Sequence, residues 1–355
     1  KNKVVCSNFY GKGYGDNPKY IADQLVSKGY KIYWLCDDVS KYQFPDYINA
    51  INKNSFTALF HLATAGAWID NCRKPIWIVK RKKQRYYQTW HGSFGIKKAE
   101  GDAMDKLERE YVESAINDSK MIDRLFSDSE FGKKVWVRSF WIEENKIDIT
   151  GLARTDIFWH ETKLEIINKV KQSLGIDESQ KIVLYAPTFR NNGDEQVIDF
   201  SQVINSFNKS LGGDWKFVYR FHPRSKGKIK YKDAVNASAY EDMQELLLTA
   251  DALITDYSGC SIDMILQKKP VFMYAEDIDS YVKERGLALS MDELPYDAAR
   301  NQEELNNIIL NYNSENYMMK CEEFLTEKGF KESGNSSEII ADIINKDIGY
   351  IWGGI

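Results

Sequence analysis

Two of the four histidines stand among basic residues, although the net charge of the chain is −4. His91 lies in "YYQTWHGSFG", just after the run "KRKKQR", and His222 lies in "RFHPRSKGKIKYK". A free imidazole titrates near neutral pH, at about 6.5, which suits proton transfer, and the cations around it suit an anionic substrate. A lone histidine at a strand end is more often structural, whereas one in each half of the chain favours function. From the residues alone, catalysis is only somewhat favoured over packing for His91.

The segment "LITDYSGCSID" has the pattern of a phosphate site. An apolar strand ends at Thr255 and Asp256, and a helix is predicted to begin near Ser258 and Gly259. Backbone N–H groups at a helix start attract phosphate. An ordinary N-cap by Asp256 or Ser258 explains the same residues about equally well. Both interpretations stay open on this segment.

Two further strand ends carry polar residues. "YAPTFR" ends with Thr188 and Arg190, and "FHPRS" contains His222 and Arg224. Neighbouring parallel strands would bring these residues to one cleft, where arginine forks suit phosphate oxygens. His61 and His160 have apolar or linker surroundings and are interpreted as structural.

Several common sites are excluded or disfavoured by spacing. "GKGYGDNP" lacks the GxGxxG spacing, and no GxxxxGK[ST], HExxH or GxSxG motif occurs. The "DID" at 277–279 resembles a metal-binding DxD, but acids at a helix start are the favoured interpretation. No metal site is predicted.

These residues need a scaffold that places several strand ends side by side. Short β-rich runs alternate with helical runs, which predicts parallel sheets with crossover helices. The rhythm restarts near residue 155, and Asn17 and Pro18 predict the start of the first helix. The sequence therefore predicts an α/β protein with two facing Rossmann-like domains and ligands in the cleft at the carboxyl ends of the strands.

Composition narrows the class of protein. The chain has 355 residues, 43% of them hydrophobic, and its longest nearly apolar run, "TALFHLATAGAWI", is too short to span a bilayer. Five scattered cysteines indicate neither a disulfide framework nor a zinc site and fit a reducing cytoplasm. The net negative charge argues against attraction of the molecule as a whole to nucleic acid or to anionic lipid.

Taken together, the motifs resemble one family. "QTWHG", "YAPTFR", "FHPR", "ITDYS", "KPVFMY" and "YVKERG" occur in the order seen in CDP-glycerol:poly(glycerophosphate) glycerophosphotransferases, the teichoic-acid polymerase family. "NFYGKGYGDNPKYI" and "GLARTD" are similar to that family as well. The similarity runs over nearly the whole chain, and the ordered set is far more specific than any single segment.

The resemblance implies a GT-B-like fold with two domains. Residues 1–157, joined by the C-terminal helices 335–355, would face the acceptor, and residues 158–334 would bind the donor. The implied reaction moves glycerol phosphate or ribitol phosphate from CDP-glycerol or CDP-ribitol to a hydroxyl of a growing teichoic-acid-like or capsular polymer, with release of CMP. No cofactor is expected beyond that donor substrate.

The resemblance and the strand ends together predict the site residues. The family's two essential histidines fall on His91, the expected general base, and on His222, which would stabilise the departing CMP. The predicted donor-binding residues are Thr188, Arg190, Arg224, Thr255, Asp256, Ser258, Gly259 and Arg285. The predicted residues for a polyanionic acceptor are Lys82, Lys83, Arg85, Lys97 and Lys98.

Some features depart from the family, and some alternatives stay open. Gly259 stands where a second serine is usual, and Ala153 where a proline is common. A lipid-linked acceptor, peripheral contact with the inner face of the plasma membrane and the oligomeric state are left open. The nearest alternative is a GT-B glycosyltransferase or epimerase that uses a UDP-sugar. An alternative of another class is a non-catalytic module that binds polyanions.

Overall fold

The structure is a computed structural model that describes residues 2–93, 96–190, 196–222 and 229–352. The chain divides into two compact units. Unit 1 comprises Lys1–Phe94, Ala99–Trp159 and Lys328–Ile355, and unit 2 comprises Gly95–Lys98 and His160–Glu327. Each unit is built on one parallel sheet with helices in its crossovers, which confirms the predicted α/β class.

The sheet of unit 1 has seven strands, all parallel to their neighbours. They are β1 (Lys3–Ser7), β2 (Lys31–Cys36), β3 (Ile48–Asn52), β4 (Ala67–Asp70), β5 (Arg85–Gln88), β6 (Arg124–Ser127) and β7 (Ile147–Ile149). Their order is β3-β2-β1-β4-β5-β6-β7. The direction of winding reverses between β1 and β4, so this is the topological switch point at which such sheets bind ligands.

Among the described residues, four α-helices connect these strands: α1 (Asp16–Ser27), α2 (Phe56–Thr64), α3 (Arg109–Met121) and α4 (Glu130–Ser139). The hydroxyl of Ser55 accepts a hydrogen bond from the backbone N–H of Ala58 (3.1 Å) and caps α2. The first helix begins ahead of the predicted cap Asn17, whose side chain contacts other segments instead. The prediction of Asn17 as the cap is therefore wrong.

The sheet of unit 2 has six parallel strands. They are β8 (Lys181–Tyr185), β9 (Trp215–Tyr219), β10 (Val235–Asn236), β11 (Ala252–Thr255), β12 (Val271–Tyr274) and β13 (Ala298–Ala299). The order β10-β9-β8-β11-β12-β13 places the switch point of this unit between β8 and β11. Its helices are α5 (Lys163–Leu174), α6 (Phe200–Leu211), α7 (Met243–Thr249), α8 (Cys260–Leu266), α9 (Ile278–Glu284), α10 (Gln302–Leu310) and α11 (Ser314–Lys328).

The last helix, α12 (Ser336–Trp352), returns to unit 1 and packs on α1. Its buried residues Ile340, Ile344 and Ile348 recur every four positions, so they form one apolar stripe that joins the core of unit 1. An ion pair between Lys28 and Asp342 (2.6 Å) supports this packing.

All five cysteines are buried free thiols. Over the described ranges, no helix combines the length and the apolar character that a bilayer crossing requires.

Candidate functional site

His91 lies three residues beyond the carboxyl end of β5, and its ring reaches the switch point of unit 1. Its Nδ1 is 2.7 Å from the carbonyl oxygen of Asn71, which follows β4. Its ring centroid is 5.3 Å from that of Phe9, which follows β1. The side chain of Asn71 joins the two strand ends, because it accepts from the Phe9 N–H (2.8 Å) and donates to Asn8 (2.7 Å).

The bond to Asn71 fixes the tautomer of His91. A carbonyl oxygen can only accept, so Nδ1 carries the proton and Nε2 of the neutral ring holds the lone pair. Such a ring can take a proton at Nε2. Cys72 Sγ lies 3.9 Å from Nδ1, and burial raises the pKa of this thiol, which favours its neutral form.

Stacking on Trp90 holds the plane of the His91 ring, with centroids 4.3 Å apart and planes 28° apart. Trp90 has a φ of +51°, in the left-handed region that a bulky residue rarely adopts. A hydrogen bond from its N–H to Gln88 Oε1 (2.9 Å) holds this turn. The Arg73 guanidinium, buried and paired with Glu100, lies 5.6 Å from the Trp90 ring.

The side chain of Arg154 holds the same turn by a hydrogen bond to its backbone. Its Nη1 donates to the His91 carbonyl oxygen (2.9 Å) and to Asp16 Oδ2 (3.2 Å). Its own N–H donates to Asn17 Oδ1 (3.0 Å), and Asn17 Nδ2 donates to the Trp90 carbonyl oxygen (3.3 Å). Arg154, Asp16 and Asn17 were not among the predicted site residues, although "GLARTD" and "GYGDNPKYI" were both part of the resemblance. That shared membership was the signal that could have found them.

The predicted acceptor residues that precede β5 are separated from His91. Lys82 and Lys83 lie in the loop before β5, and Arg85 is its first residue, whereas His91 follows its last. The strand of four residues spans about 13 Å at roughly 3.3 Å per residue. Arg85 is also paired with Asp123 (2.9 Å). These residues therefore lie at the amino-terminal edge of the sheet, opposite the edge that carries His91.

In unit 2, the predicted donor residues gather at the switch point. Asp256, after β11, accepts from the N–H of Thr188, after β8 (2.8 Å). Its other oxygen lies 2.9 Å from Arg190 Nη1. The ring of His222, after β9, lies 5.4 Å from that of Phe189. The structure thus brings Thr188, Arg190, Asp256 and His222 to one edge, while Arg224 lies outside the described residues.

Arg190 is held by two carboxylates. Its Nε and Nη2 donate to Asp277 (2.7 and 3.0 Å), in addition to the pair with Asp256. Its guanidinium lies 5.2 Å from the ring centroids of both Tyr257 and Tyr281, which stack at 3.7 Å. Burial lowers the pKa of Arg190, but the neighbouring carboxylates of Asp277 and Asp256 raise it by more, so the pKa lies above its usual value. Asp277 does precede α9 as a helix-start acid, yet its side chain positions Arg190 and does not cap the helix.

The end of β11 and the residues that follow it include both buried and open positions. Thr255 is fully buried, and its hydroxyl donates to the Ala186 carbonyl oxygen (2.7 Å), so it holds the strand ends together. Ser258 Oγ accepts from the Cys260 N–H (3.4 Å). Gly259 precedes α8, a helix of only seven residues. A Cβ built on Gly259 would meet no heavy atom within 4 Å, so a serine would fit there.

The predicted acceptor residues Lys97 and Lys98 belong to unit 2. Lys97 pairs with Leu287 in an antiparallel bridge, and the Lys98 N–H donates to the Gly286 carbonyl oxygen (3.2 Å). Gly286 has a φ of +72°, and a Cβ there would lie 2.7 Å from Lys98 Cδ. This close approach explains a glycine next to Arg285.

Lys97 interacts electrostatically with the predicted donor residues. Burial lowers the pKa of Lys97, Asp256 opposes this shift, and Arg285 and Arg190 add to it. Lys97 was predicted, together with Lys82, to bind the acceptor. The structure places it with Asp256, Arg190 and Arg285 instead.

The remaining candidates have structural contacts. His61 stacks on Tyr33 (3.8 Å), and His160 Nδ1 is 3.0 Å from Thr162 Oγ1. Asp279 of the "DID" segment pairs with Arg300 (3.0 Å). In the part of the chain that the structure describes, no group of three or more His, Cys, Asp or Glu side chains could hold a metal ion.

Comparison with known proteins gives consistent matches. Residues 1–346 match the sequence model of the family described as CDP-Glycerol:Poly(glycerophosphate) glycerophosphotransferase. A teichoic acid poly(glycerol phosphate) polymerase of Staphylococcus epidermidis is 27% identical over 373 aligned positions, which cover 97% of this chain and 50% of the relative. A teichoic acid glycerol-phosphate transferase of Staphylococcus aureus is 30% identical over 319 positions, which cover 85% of this chain and 82% of the relative.

A solved structure of the wall teichoic acid polymerase TagF matches with a TM-score of 0.88 at 28% identity and covers 99% of this chain and 90% of that chain. Together with the two parallel sheets, this likeness confirms the predicted GT-B-like fold. The chain spans about half the length of the two curated poly(glycerol phosphate) polymerases that it matches along nearly all of its own length.

Proposed function

We propose, because this chain belongs to the CDP-Glycerol:Poly(glycerophosphate) glycerophosphotransferase family, that it transfers a polyol phosphate from a CDP-linked donor to a hydroxyl of a growing polymer, with release of CMP. Glycerol phosphate is the favoured group, since the two relatives named above carry glycerol phosphate in their names. CDP-ribitol is the alternative donor. The acceptor is an anionic polyol-phosphate chain of a wall or capsular polymer, free or lipid-linked.

The observation that carries the proposal is the hydrogen bond between His91 Nδ1 and the Asn71 carbonyl oxygen. It leaves Nε2 of the neutral ring as the acceptor of a proton. In the proposed step, the acceptor hydroxyl gives its proton to Nε2 while its oxygen forms a bond to the β-phosphorus. The bond from that phosphorus to the bridging oxygen breaks, and CMP leaves with the bonding electrons.

In unit 2, we assign the donor pyrophosphate to the switch point between β8 and β11. Lys97 and Arg285 supply positive charge there, and Arg190 is held in place by Asp256 and Asp277. His222, with Arg224, would stabilise the departing CMP, and the open backbone at Ser258 and Gly259 would face phosphate oxygens. Catalysis of this kind depends mainly on positioning and charge stabilisation.

The test is nucleotide release by the purified protein. It would be incubated with CDP-glycerol, CDP-ribitol or UDP-sugars, with and without a polyol-phosphate acceptor. We expect acceptor-dependent CMP release from one CDP-polyol. Release of UDP instead would favour the sugar-transferring alternative, and polymer binding without any turnover would favour the binding module.

The role of His91 is tested with a matched pair of variants. His91→Ala removes the base and should lower turnover by about a hundredfold to ten-thousandfold. His160→Ala removes an exposed histidine whose ring contacts Thr162, and it should leave turnover unchanged. If a folded His91→Ala protein kept more than about a tenth of wild-type turnover, the base assignment would be wrong.

A further inference from the structure

Two exposed aromatic residues follow β1, at the same edge of the sheet as His91. Phe9 and Tyr10 are 38% and 50% exposed, whereas Asn8, just before them, is buried. The Phe9 ring centroid lies 5.3 Å from that of the His91 ring, and the two planes make an angle of 50°. Tyr10 is the next residue along the chain. The proposed base is therefore flanked by aromatic surface that is open to a ligand.

The backbone holds both rings in a conformation that large side chains rarely adopt. Phe9 has a φ of +42° and Tyr10 a φ of +58°, both in the left-handed region. The Phe9 N–H donates to Asn71 Oδ1 (2.8 Å), and Lys53 Nζ donates to the Tyr10 carbonyl oxygen (2.5 Å). Strained residues that their surroundings hold in place cluster at active sites and at sites that clamp a ligand. The two consecutive outliers therefore point to a binding role for this loop.

The loop beyond Tyr10 is fixed as well. The Gly11 N–H donates to the Asn8 carbonyl oxygen (2.8 Å), and the Asp37 N–H donates to the Gly11 carbonyl oxygen (2.8 Å). Gly11 has a φ of +98°, and a Cβ there would lie 3.0 Å from the Asp37 nitrogen and from Lys53 Cδ. The loop thus packs closely against the segments that follow β2 and β3. Rings on such a fixed loop are preorganised, which lowers the entropy lost when a ligand binds.

The hydroxyl of Tyr10 has surroundings that suit a neutral ligand group. Partial burial raises the pKa of Tyr10, and the carboxylates of Asp70 and Glu100 raise it further. The Arg73 guanidinium opposes this shift, but it is buried and paired with Glu100. The phenol therefore keeps its proton and can donate a hydrogen bond. Because the nearby cation is already paired, this position suits a hydroxyl group better than a phosphate.

The proposed reaction indicates which group would contact the two rings. The reacting hydroxyl belongs to the last polyol unit of the acceptor, and it must reach Nε2 of His91. Such a unit presents C–H groups, which pack on aromatic rings, and hydroxyl groups, which accept a hydrogen bond from a phenol. We propose, on the basis of the function proposed above, that Phe9 and Tyr10 form the subsite for the terminal polyol unit of the acceptor. The Tyr10 hydroxyl donates to the hydroxyl next to the reacting one.

The experiment measures binding of a synthetic trimer of glycerol phosphate to the whole chain by isothermal titration calorimetry. Tyr10→Phe removes only the phenolic hydroxyl and should weaken binding about fivefold, as loss of one neutral hydrogen bond does. Tyr10→Ala also removes the ring and should weaken binding at least about tenfold.

A second trimer tests the hydrogen bond itself. Its terminal glycerol is replaced by propane-1,3-diol, so it keeps the reacting hydroxyl and lacks the one beside it. The wild-type protein should bind this trimer about fivefold more weakly than the first. Tyr10→Phe should bind the two trimers equally, because the hydrogen bond is absent in both complexes.

CMP release with CDP-glycerol and the first trimer separates a binding role from a structural one. Tyr10→Ala should raise the KM for the trimer at least about tenfold. The KM for CDP-glycerol should stay constant, because the proposed donor residues belong to unit 2. Tyr10→Phe should keep the wild-type unfolding temperature.

Tyr47 offers a matched control in the same unit. It is 48% exposed and its hydroxyl donates to Asp23 (3.0 Å), but it precedes β3 and so lies at the opposite edge of the sheet from His91. Tyr47→Phe and Tyr47→Ala should therefore change neither the affinity for either trimer nor the KM for the first.

Several results would overturn the subsite. One is that the wild-type protein binds no trimer, or that Tyr10→Ala binds it as tightly as the wild type. Another is that Tyr10→Phe distinguishes the two trimers as strongly as the wild type does. A lower unfolding temperature in Tyr10→Phe, with both KM values raised, would assign Tyr10 to the fold.

The subsite and the proposed transfer can fail separately. If the wild-type protein binds the trimer through Tyr10 but releases no CMP, the subsite stands and the transfer is wrong. If CMP is released with the trimer and the Tyr10 variants match the wild type, the transfer stands and the subsite is wrong.

Discussion

Arg154→Lys tests whether the turn that carries His91 must be held by a planar guanidinium. In the wild-type protein, Arg154 is buried and one nitrogen donates to both the His91 carbonyl oxygen and Asp16. Lysine keeps the positive charge beside Asp16, but its ammonium nitrogen stands one atom nearer the backbone than Arg154 Nη1, so it cannot reach both acceptors in the same geometry. The substitution therefore separates a geometric role from an electrostatic one.

The structure sets the size of the expected effects. A hydrogen bond to a charged donor contributes about 1.5–3 kcal/mol, so loss of one such bond should lower the free energy of unfolding by that amount. Complete loss of a buried pair costs about 3–5 kcal/mol, which we do not expect because the ammonium still faces Asp16. A shift of His91 by about 1 Å can lower kcat roughly a hundredfold. The KM for the donor should stay constant, because the proposed donor residues belong to unit 2.

The assay combines steady-state CMP release at varied donor concentration with urea unfolding. Arg138→Lys is the matched control, because Arg138 also pairs with a carboxylate of unit 1, Asp102 (2.6 Å), but has an exposed side chain. It should change neither kcat nor stability appreciably. If Arg154→Lys lost stability as expected but kept the wild-type kcat, Arg154 would only support the fold. If KM alone rose, Arg154 would belong to donor binding, and the positioning argument would be refuted in either case.

Two further predictions concern stability. Arg190→Met leaves the buried carboxylate of Asp256 without its cation and should lower the free energy of unfolding in urea by about 3–5 kcal/mol. Arg300→Met breaks an exposed ion pair and should lower it by at most about 1 kcal/mol. Equal losses for the two variants would contradict the argument that the buried charge of Asp256 needs its cation. Burial raises the pKa of Glu332 well above 4.5, so its contribution to stability is complete below pH 4.5 and is lost as the pH rises through the higher folded-state pKa. In melting temperatures measured against pH, Glu332→Gln should remove this loss of stability at higher pH. Glu338→Gln, which changes an exposed carboxylate, should follow the wild type. Identical curves for all three proteins would refute the raised pKa of Glu332.

The sequence predicted the fold class because buried parallel strands are continuous apolar runs, which stand out between helical segments. The strand β3, with the sequence "INAIN", gave no such signal. It lies at the edge of the sheet, its residues are mostly exposed or half-buried, and its two asparagines break the apolar run. The strands β10 and β13 lie at the edges of the other sheet and were missed because two residues are too few to form an apolar run.

The sequence identified strand ends but not the partners that hold them. His91 and Arg190 follow apolar strands directly, so a local pattern was enough to select them. Their supports come from far along the chain: Arg154 contacts Asn17 across 137 positions, and Arg190 contacts Asp277 across 87. A single sequence contains no signal that pairs such positions. The family resemblance covered the segments of Arg154 and Asn17 but gave neither residue a role.

The basic residues around His91 show why nearness in sequence is a poor guide to a shared site in a parallel sheet. Residues just before a strand and just after it lie at opposite edges, so the short strand β5 separates Arg85 from His91 by its whole length. Six positions beyond His91, Lys97 is already part of the other unit and pairs with Leu287. One cluster of charges in the sequence thus contributes to three places: an exposed basic run, a strand end with a histidine, and the surroundings of Asp256. In such a sheet, charges that follow different strands are better candidates for one site than charges on either side of the same strand.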